Sequence, residues 1–122
     1  MTRVDAPEPE SVVTIDAVTV GRRMVLGVAG EVDMSTVQQL RTAIDEALEA
    51  APAELWIDFT NTLFMDSSGL HVVLDANQRV LARNGGLAII SPEGNVRRLL
   101  EVTGAEAALR IYPDRDAAHR AG

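Results

Sequence analysis

Asp66, Ser67 and Ser68 stand in a row between a run that reads as a buried strand, Leu55 to Phe59, and a run that reads as an amphipathic helix. They therefore sit where a helix begins. The first amides of a helix have no partner inside it and lie at the positive end of its dipole, so a hydroxyl at this corner is exposed in a setting that favours a phosphate. A serine there can serve as a switch. It can equally be a helix cap, and Asp66 could be the cap itself or could orient the Ser67 hydroxyl. Ser68 reads as a capping hydroxyl more readily than as an acceptor.

Ser67, His71 and Asp33 are the residue types of a nucleophile triad. Ser67 and His71 leave one helix one turn apart and in nearly the same direction, which is poor geometry for an imidazole that must bond a hydroxyl and an acid together. No Gly-x-Ser-x-Gly elbow surrounds Ser67. The chain is thus expected not to be an enzyme. His71 and His119 are the only histidines, without ligand spacing to a carboxylate cluster, so no metal or other cofactor is expected. There is no lysine and no P-loop.

The elements that position this corner follow from the apolar pattern. Val12 to Val20 and Arg23 to Ala29, parted by Gly21-Arg22, read as a hairpin. The second strand is apolar or small on both faces and so belongs inside the sheet. Ser35-Thr36-Val37-Gln38 reads as a capping box opening a helix with Val37, Leu40, Ile44, Ala47 and Leu48 on one face. The strand Leu55 to Phe59 follows.

Past the serine corner, Leu70, Val73, Leu74, Asn77, Val80 and Leu81 form a stripe that stops at Asn84-Gly85-Gly86. Leu87 to Ile90 reads as a strand, and Ser91-Pro92 as the cap of a helix with Val96, Leu99, Leu100 and Thr103 inward. Leu109 to Tyr112 can add a strand and Pro113 to His119 a short helix. The fold class is α/β: one domain, a mixed four- to five-stranded sheet with about four helices packed against it. Its expected bounds are 12–116, with tails at 1–11 and 117–122. If the strands ending near Ala29 and Phe59 are parallel neighbours, Asp33 and Ser67 share one rim. Met34 and Met65 read as core or rim fillers, and Arg79 with Arg83 as a solvated helix face.

With 122 residues and a formal net charge of −7, the chain suits a protein partner and not a nucleic acid, which demands a basic footprint. It has no cysteine, no signal-peptide pattern at its start and no apolar run near the roughly 20 residues that span a bilayer. A soluble, cytoplasmic protein without membrane partners is expected.

Three segments carry a family resemblance. Gly30-Glu31-Val32-Asp33 followed by Thr36, Phe64-Met65-Asp66-Ser67-Ser68-Gly69-Leu70, and Arg97-Arg98-Leu99-Leu100-Glu101-Val102-Thr103-Gly104 resemble the STAS domain, and within it the stand-alone anti-sigma factor antagonists of bacteria. The resemblance implies a partner switch. The unmodified form would bind an anti-sigma factor, a serine kinase with a histidine-kinase-like ATPase fold, and so free the sigma factor. The kinase would phosphorylate Ser67, the modified form would let go, and a PP2C-type phosphatase would restore binding. Asp33, Thr36, Asp66, Ser68, Gly69 and His71 would form the partner-binding surface, with His71 standing where the family usually has a small residue. A STAS domain that serves as a non-switching scaffold, or that binds a nucleotide or other small ligand at this rim, is the alternative.

Overall fold

A computed structural model describes residues 11–121. The chain forms β1 (Val13–Val20), β2 (Arg23–Val32), α1 (Val37–Glu49), β3 (Glu54–Met65), α2 (Ser67–Ala82), β4 (Gly86–Ile90), α3 (Asn95–Val102), a short 3-10 turn (Ala105–Ala108), β5 (Arg110–Tyr112) and α4 (Arg115–Ala121). The five strands lie in sequence order. β1 pairs antiparallel with β2, closing the hairpin at Val20 opposite Arg23, and every later pairing is parallel. This is the expected mixed sheet.

Each parallel crossover steps one strand in the same direction, and the right-handed rule therefore puts α1, α2 and α3 on one face. The packing agrees. Leu26, Val28, Leu55, Ile57 and Ile89 from the sheet meet Leu40, Ile44, Val73, Ala76, Val96 and Leu100 from those helices in one continuous core. The opposite face has a smaller core of Val25, Trp56, Ala88 and Ile90, covered by Ala118 of α4. α4 thus runs through the boundary placed at 116: residues 117–121 are helix, not tail, held to the sheet by buried Ala118. The tail expected at 1–11 falls outside the described residues except for Ser11.

Four local readings change. β3 continues to Met65 instead of ending at Phe59, since its pairing with β2 carries on past two register shifts to Val32 opposite Met65. Its polar Thr60-Asn61-Thr62 stretch hid that extension; the Thr62 hydroxyl donates to the Val28 carbonyl at 2.8 Å. α1 has no capping box, because its N-cap is Thr36 without a side-chain cap bond and the Ser35 hydroxyl is spent on Asp33. α3 begins at Asn95 after Gly94, while Ser91 stays with the sheet, its N–H on the Tyr112 carbonyl at 2.8 Å. Thr103 and Leu81, expected inward, are exposed.

Arg79 is half-buried and Arg83 exposed, and both have partners on α1. Arg79 Nη1 reaches Asp45 of α1 at 2.7 Å and Arg83 Nη1 donates to the Leu48 carbonyl, so both tie α2 to α1.

Candidate functional site

The site lies where β2 and β3 end side by side. Val32 pairs with Met65, and the Asp66 N–H donates to the Val32 carbonyl at 3.1 Å, so the loop carrying Asp33 and the corner carrying Ser67 share one rim as expected. Two turns shape it.

The first turn starts at Gly30, which adopts φ +108° where a Cβ would stand 2.1 Å from the Val12 carbonyl oxygen. Only glycine suits that backbone. Beyond it, Asp33 folds the loop around its own side chain. Its Oδ1 accepts the Ser35 N–H at 2.9 Å and the Ser35 hydroxyl at 2.6 Å, and its Oδ2 accepts the Ser11 hydroxyl. The Asp33 carbonyl accepts the Val37 N–H at 2.8 Å and so opens α1. Thr36 braces the same turn, donating its hydroxyl to the Glu31 carbonyl at 2.7 Å and accepting the Asp33 N–H at 3.0 Å. The Ser11 and Ser35 hydroxyls, aided by the backbone amides of Ser35 and Thr36 and opposed by partial burial, lower the Asp33 pKa to about 2.

The second turn is the start of α2. Asp66 is its N-cap, with extended backbone, and its Oδ1 accepts the Ser68 N–H at 2.8 Å together with the Ser68 hydroxyl. Ser68 is therefore spent on the cap. Ser67 is the first helical residue, exposed, and its hydroxyl makes no hydrogen bond among the described residues. His71 is exposed one turn further on.

Two of the residues expected to touch a partner are buried. Thr36 is 3% exposed and holds the loop from beneath. Gly69 is packed where a Cβ would come within 2.8 Å of Met65 Cγ and of Val32 Cγ1, so it lets α2 approach the strand ends and presents no surface. Asp33, Asp66 and Ser68 are partly exposed, and with exposed Ser67 and His71 they form the polar rim.

Other residues at the rim carry no sequence signal of their own. Ser11, the last residue of the expected tail, reaches Asp33 with its hydroxyl. Met34 is 84% exposed beside Asp33 and fills nothing, whereas Met65 is core. Leu63 and Phe64 project from the extended end of β3. Asn95 at the start of α3 accepts the Met65 N–H on its Oδ1 at 2.8 Å, which ties α3 to the serine corner.

A hydroxyl at a helix N-terminus, with two carboxylates at its rim and apolar Phe64 lining the same groove, can accept a phosphoryl group and can dock a protein. The STAS domain family model matches residues 14–118. The chain belongs to the STAS domain family. An anti-sigma F factor antagonist from Paenibacillus polymyxa is 31% identical over 90 residues, covering 73% of this chain and 77% of that protein. Among solved structures, an anti-sigma factor antagonist from Mycobacterium paratuberculosis matches with a TM-score of 0.85 and 26% identity, covering 97% of each chain. The antagonist SpoIIAA matches in its unphosphorylated form with a TM-score of 0.73 and 26% identity over 88% of this chain and 96% of that one. Its phosphorylated form, from Bacillus, matches with a TM-score of 0.68 and 24% identity over 89% of this chain and all of that one.

This STAS domain has no helix, among the described residues, long and apolar enough to cross a membrane. Nor do three or more His, Asp or Glu side chains gather as a metal ion would require, again among the described residues.

Proposed function

We propose that this STAS domain is an anti-sigma factor antagonist working as a partner switch at Ser67. The unmodified form binds an anti-sigma factor that is also a serine kinase of the histidine-kinase-like ATPase type, and displaces the sigma factor. The Ser67 oxygen then attacks the γ-phosphorus of the kinase's ATP, ADP leaves, and the hydroxyl proton passes to a base of the kinase. A PP2C-type phosphatase hydrolyses the ester and restores binding.

The observation that carries this reading is the division of labour at the α2 N-terminus. Asp66 and Ser68 complete the cap between themselves, which leaves the exposed Ser67 hydroxyl without a structural task among the described residues. A phosphate adds about −1.5 to −2 charges there. It joins Asp33 and Asp66 at the rim of a chain that already carries −7, so a partner surface suited to the neutral hydroxyl meets repulsion and a desolvation cost.

Incubation with each histidine-kinase-like anti-sigma factor of the host and ATP, followed by mass spectrometry, reads the switch. Phosphate on Ser67 from at least one kinase supports it; binding without modification indicates a scaffold and overturns it. Ser67→Ala should bind and never be released, and Ser67→Asp should bind at least about tenfold more weakly, a loss of about 1.4 kcal/mol. Equal affinities of the two variants would count against the proposal.

A further inference from the structure

Between the serine corner and α3 lies a groove of about 370 Å³. Asp66 and Ser67 line it from the serine corner and Asn95 and Arg98 from α3, with Phe64 and Leu99 as apolar lining. Arg98 is the only cationic residue among those that line it, and among the described residues it has no carboxylate partner. Its neighbour differs. Arg97 faces Glu101 at 3.3 Å and does not line the groove. α3 thus pairs one arginine with its own helix and leaves the other exposed along the groove that Ser67 lines.

We infer that Arg98 is the residue that holds the phosphate once Ser67 carries one, with Asn95 as a second donor. This rests on the reading of Ser67 as the phosphorylated residue. The charges direct the phosphate. Asp66 presents a carboxylate whose Oδ1 is already committed to the cap, and a phosphate dianion is repelled by it. The α3 lining supplies what the dianion lacks: a guanidinium with a fork of N–H donors matched to phosphate oxygens. Asn95 is fixed by its Oδ1, which accepts the Met65 N–H at 2.8 Å, and its Nδ2 donates to nothing among the described residues.

The consequence is a phosphate drawn across the groove rather than left in solvent. In that position it covers Phe64 and Leu99 with charge as well as altering the rim, so the modification closes an apolar seat for the partner.

The test uses the full chain with phosphoserine installed at position 67 by encoded incorporation, so no kinase is involved. The second ionisation of the phosphate, about pH 6 for an unperturbed phosphoserine, is followed by phosphorus NMR in the parent, in Arg98→Gln and in Arg97→Gln. A guanidinium bonded to the dianion lowers that midpoint. The Arg98→Gln protein should titrate about half a pH unit or more above the parent, and Arg97→Gln with the parent. Arg98→Lys, which keeps the charge without the fork, should fall between. If the parent and Arg98→Gln proteins titrate together, the inference is overturned, and so it is if Arg97→Gln shifts as much as Arg98→Gln. Arg98 is exposed, so its substitution leaves the core intact. A kinase that fails to label Ser67 would defeat the switch reading while leaving this titration unchanged, and a flat titration would defeat the clamp while leaving the labelling unchanged.

Discussion

Asp66 holds the serine corner in shape by one oxygen. With its Oδ1 on the N–H and hydroxyl of Ser68, removing the side chain strips the first turn of α2 of its cap. Asp66→Ala should cost about 1 kcal/mol in urea unfolding, whereas Asp66→Asn or Asp66→Ser should keep most of it. Gly69→Ala adds one methyl between Met65 and Val32, both fully buried, and should cost about 1–3 kcal/mol in the same assay. Asp33 sets a pH dependence of definite sign. Its folded pKa of about 2 lies below its ordinary 3.8, so its contribution is complete above about pH 4 and is lost as pH falls toward 2. The difference in urea midpoint between the parent and Asp33→Asn should stay constant from pH 8 to 5 and shrink between about pH 4 and 2. At this scale the sequence named the corner because serine and aspartate at a strand-to-helix junction have few physical uses. It could not separate residues exposed at the rim from residues buried beneath it, since Thr36 and Gly69 differ from Asp33 and Ser67 only in which way the folded backbone turns them. Nor could it find Asn95 or Arg98, whose placement depends on α3 crossing back to the end of β3.

Apolar periodicity made the elements legible where they are buried and concealed them where they are not. Leu55 to Phe59 reads as a strand because all of it is buried, but Thr60 to Phe64 is polar or exposed and is strand only through pairing with β2. α4 was legible as a short helix yet not as a structural member, because its anchor is a single alanine. Ala118 sits in the minor core over Trp56, the chain's one tryptophan, which is 2% exposed. The Arg23 guanidinium carbon lies 3.8 Å from the Trp56 ring centroid, and His119 of α4 meets the ring edge-on with centroids 4.9 Å apart. Arg115 adds a bond from its Nε to buried Asp58 at 2.6 Å. Ala118→Asp places an unpaired carboxylate in that core and should lift α4, at a cost on the order of 1–3 kcal/mol. Trp56 emission should move to the red. Labelling of Ser67 by a kinase should continue, since α2 packs on the other face of the sheet.

For the molecule as a whole, the rim sits at the strand ends, outside both cores, and this separates what a phosphate changes from what holds the fold. The chain matches SpoIIAA in its unphosphorylated and phosphorylated forms with TM-scores of 0.73 and 0.68, so each form of that protein has a fold like this one. In this chain the added charge meets the amides at the start of α2 and the exposed Arg98 guanidinium, each worth roughly 0.3–1 kcal/mol, against repulsion from partly solvated carboxylates of similar size. These nearly cancel. A docked partner enjoys no such cancellation, because contact removes the water that screens phosphate from Asp66 and from acidic groups across the interface. Encoded phosphoserine at position 67 should therefore leave far-UV circular dichroism unchanged and move the thermal midpoint by no more than about 3 °C, the equivalent of about 0.8 kcal/mol for a domain of this size. Calorimetric affinity for the anti-sigma factor should fall at least tenfold in the same preparation. A midpoint displaced by 10 °C with affinity intact would mean that Ser67 serves the fold and not the switch.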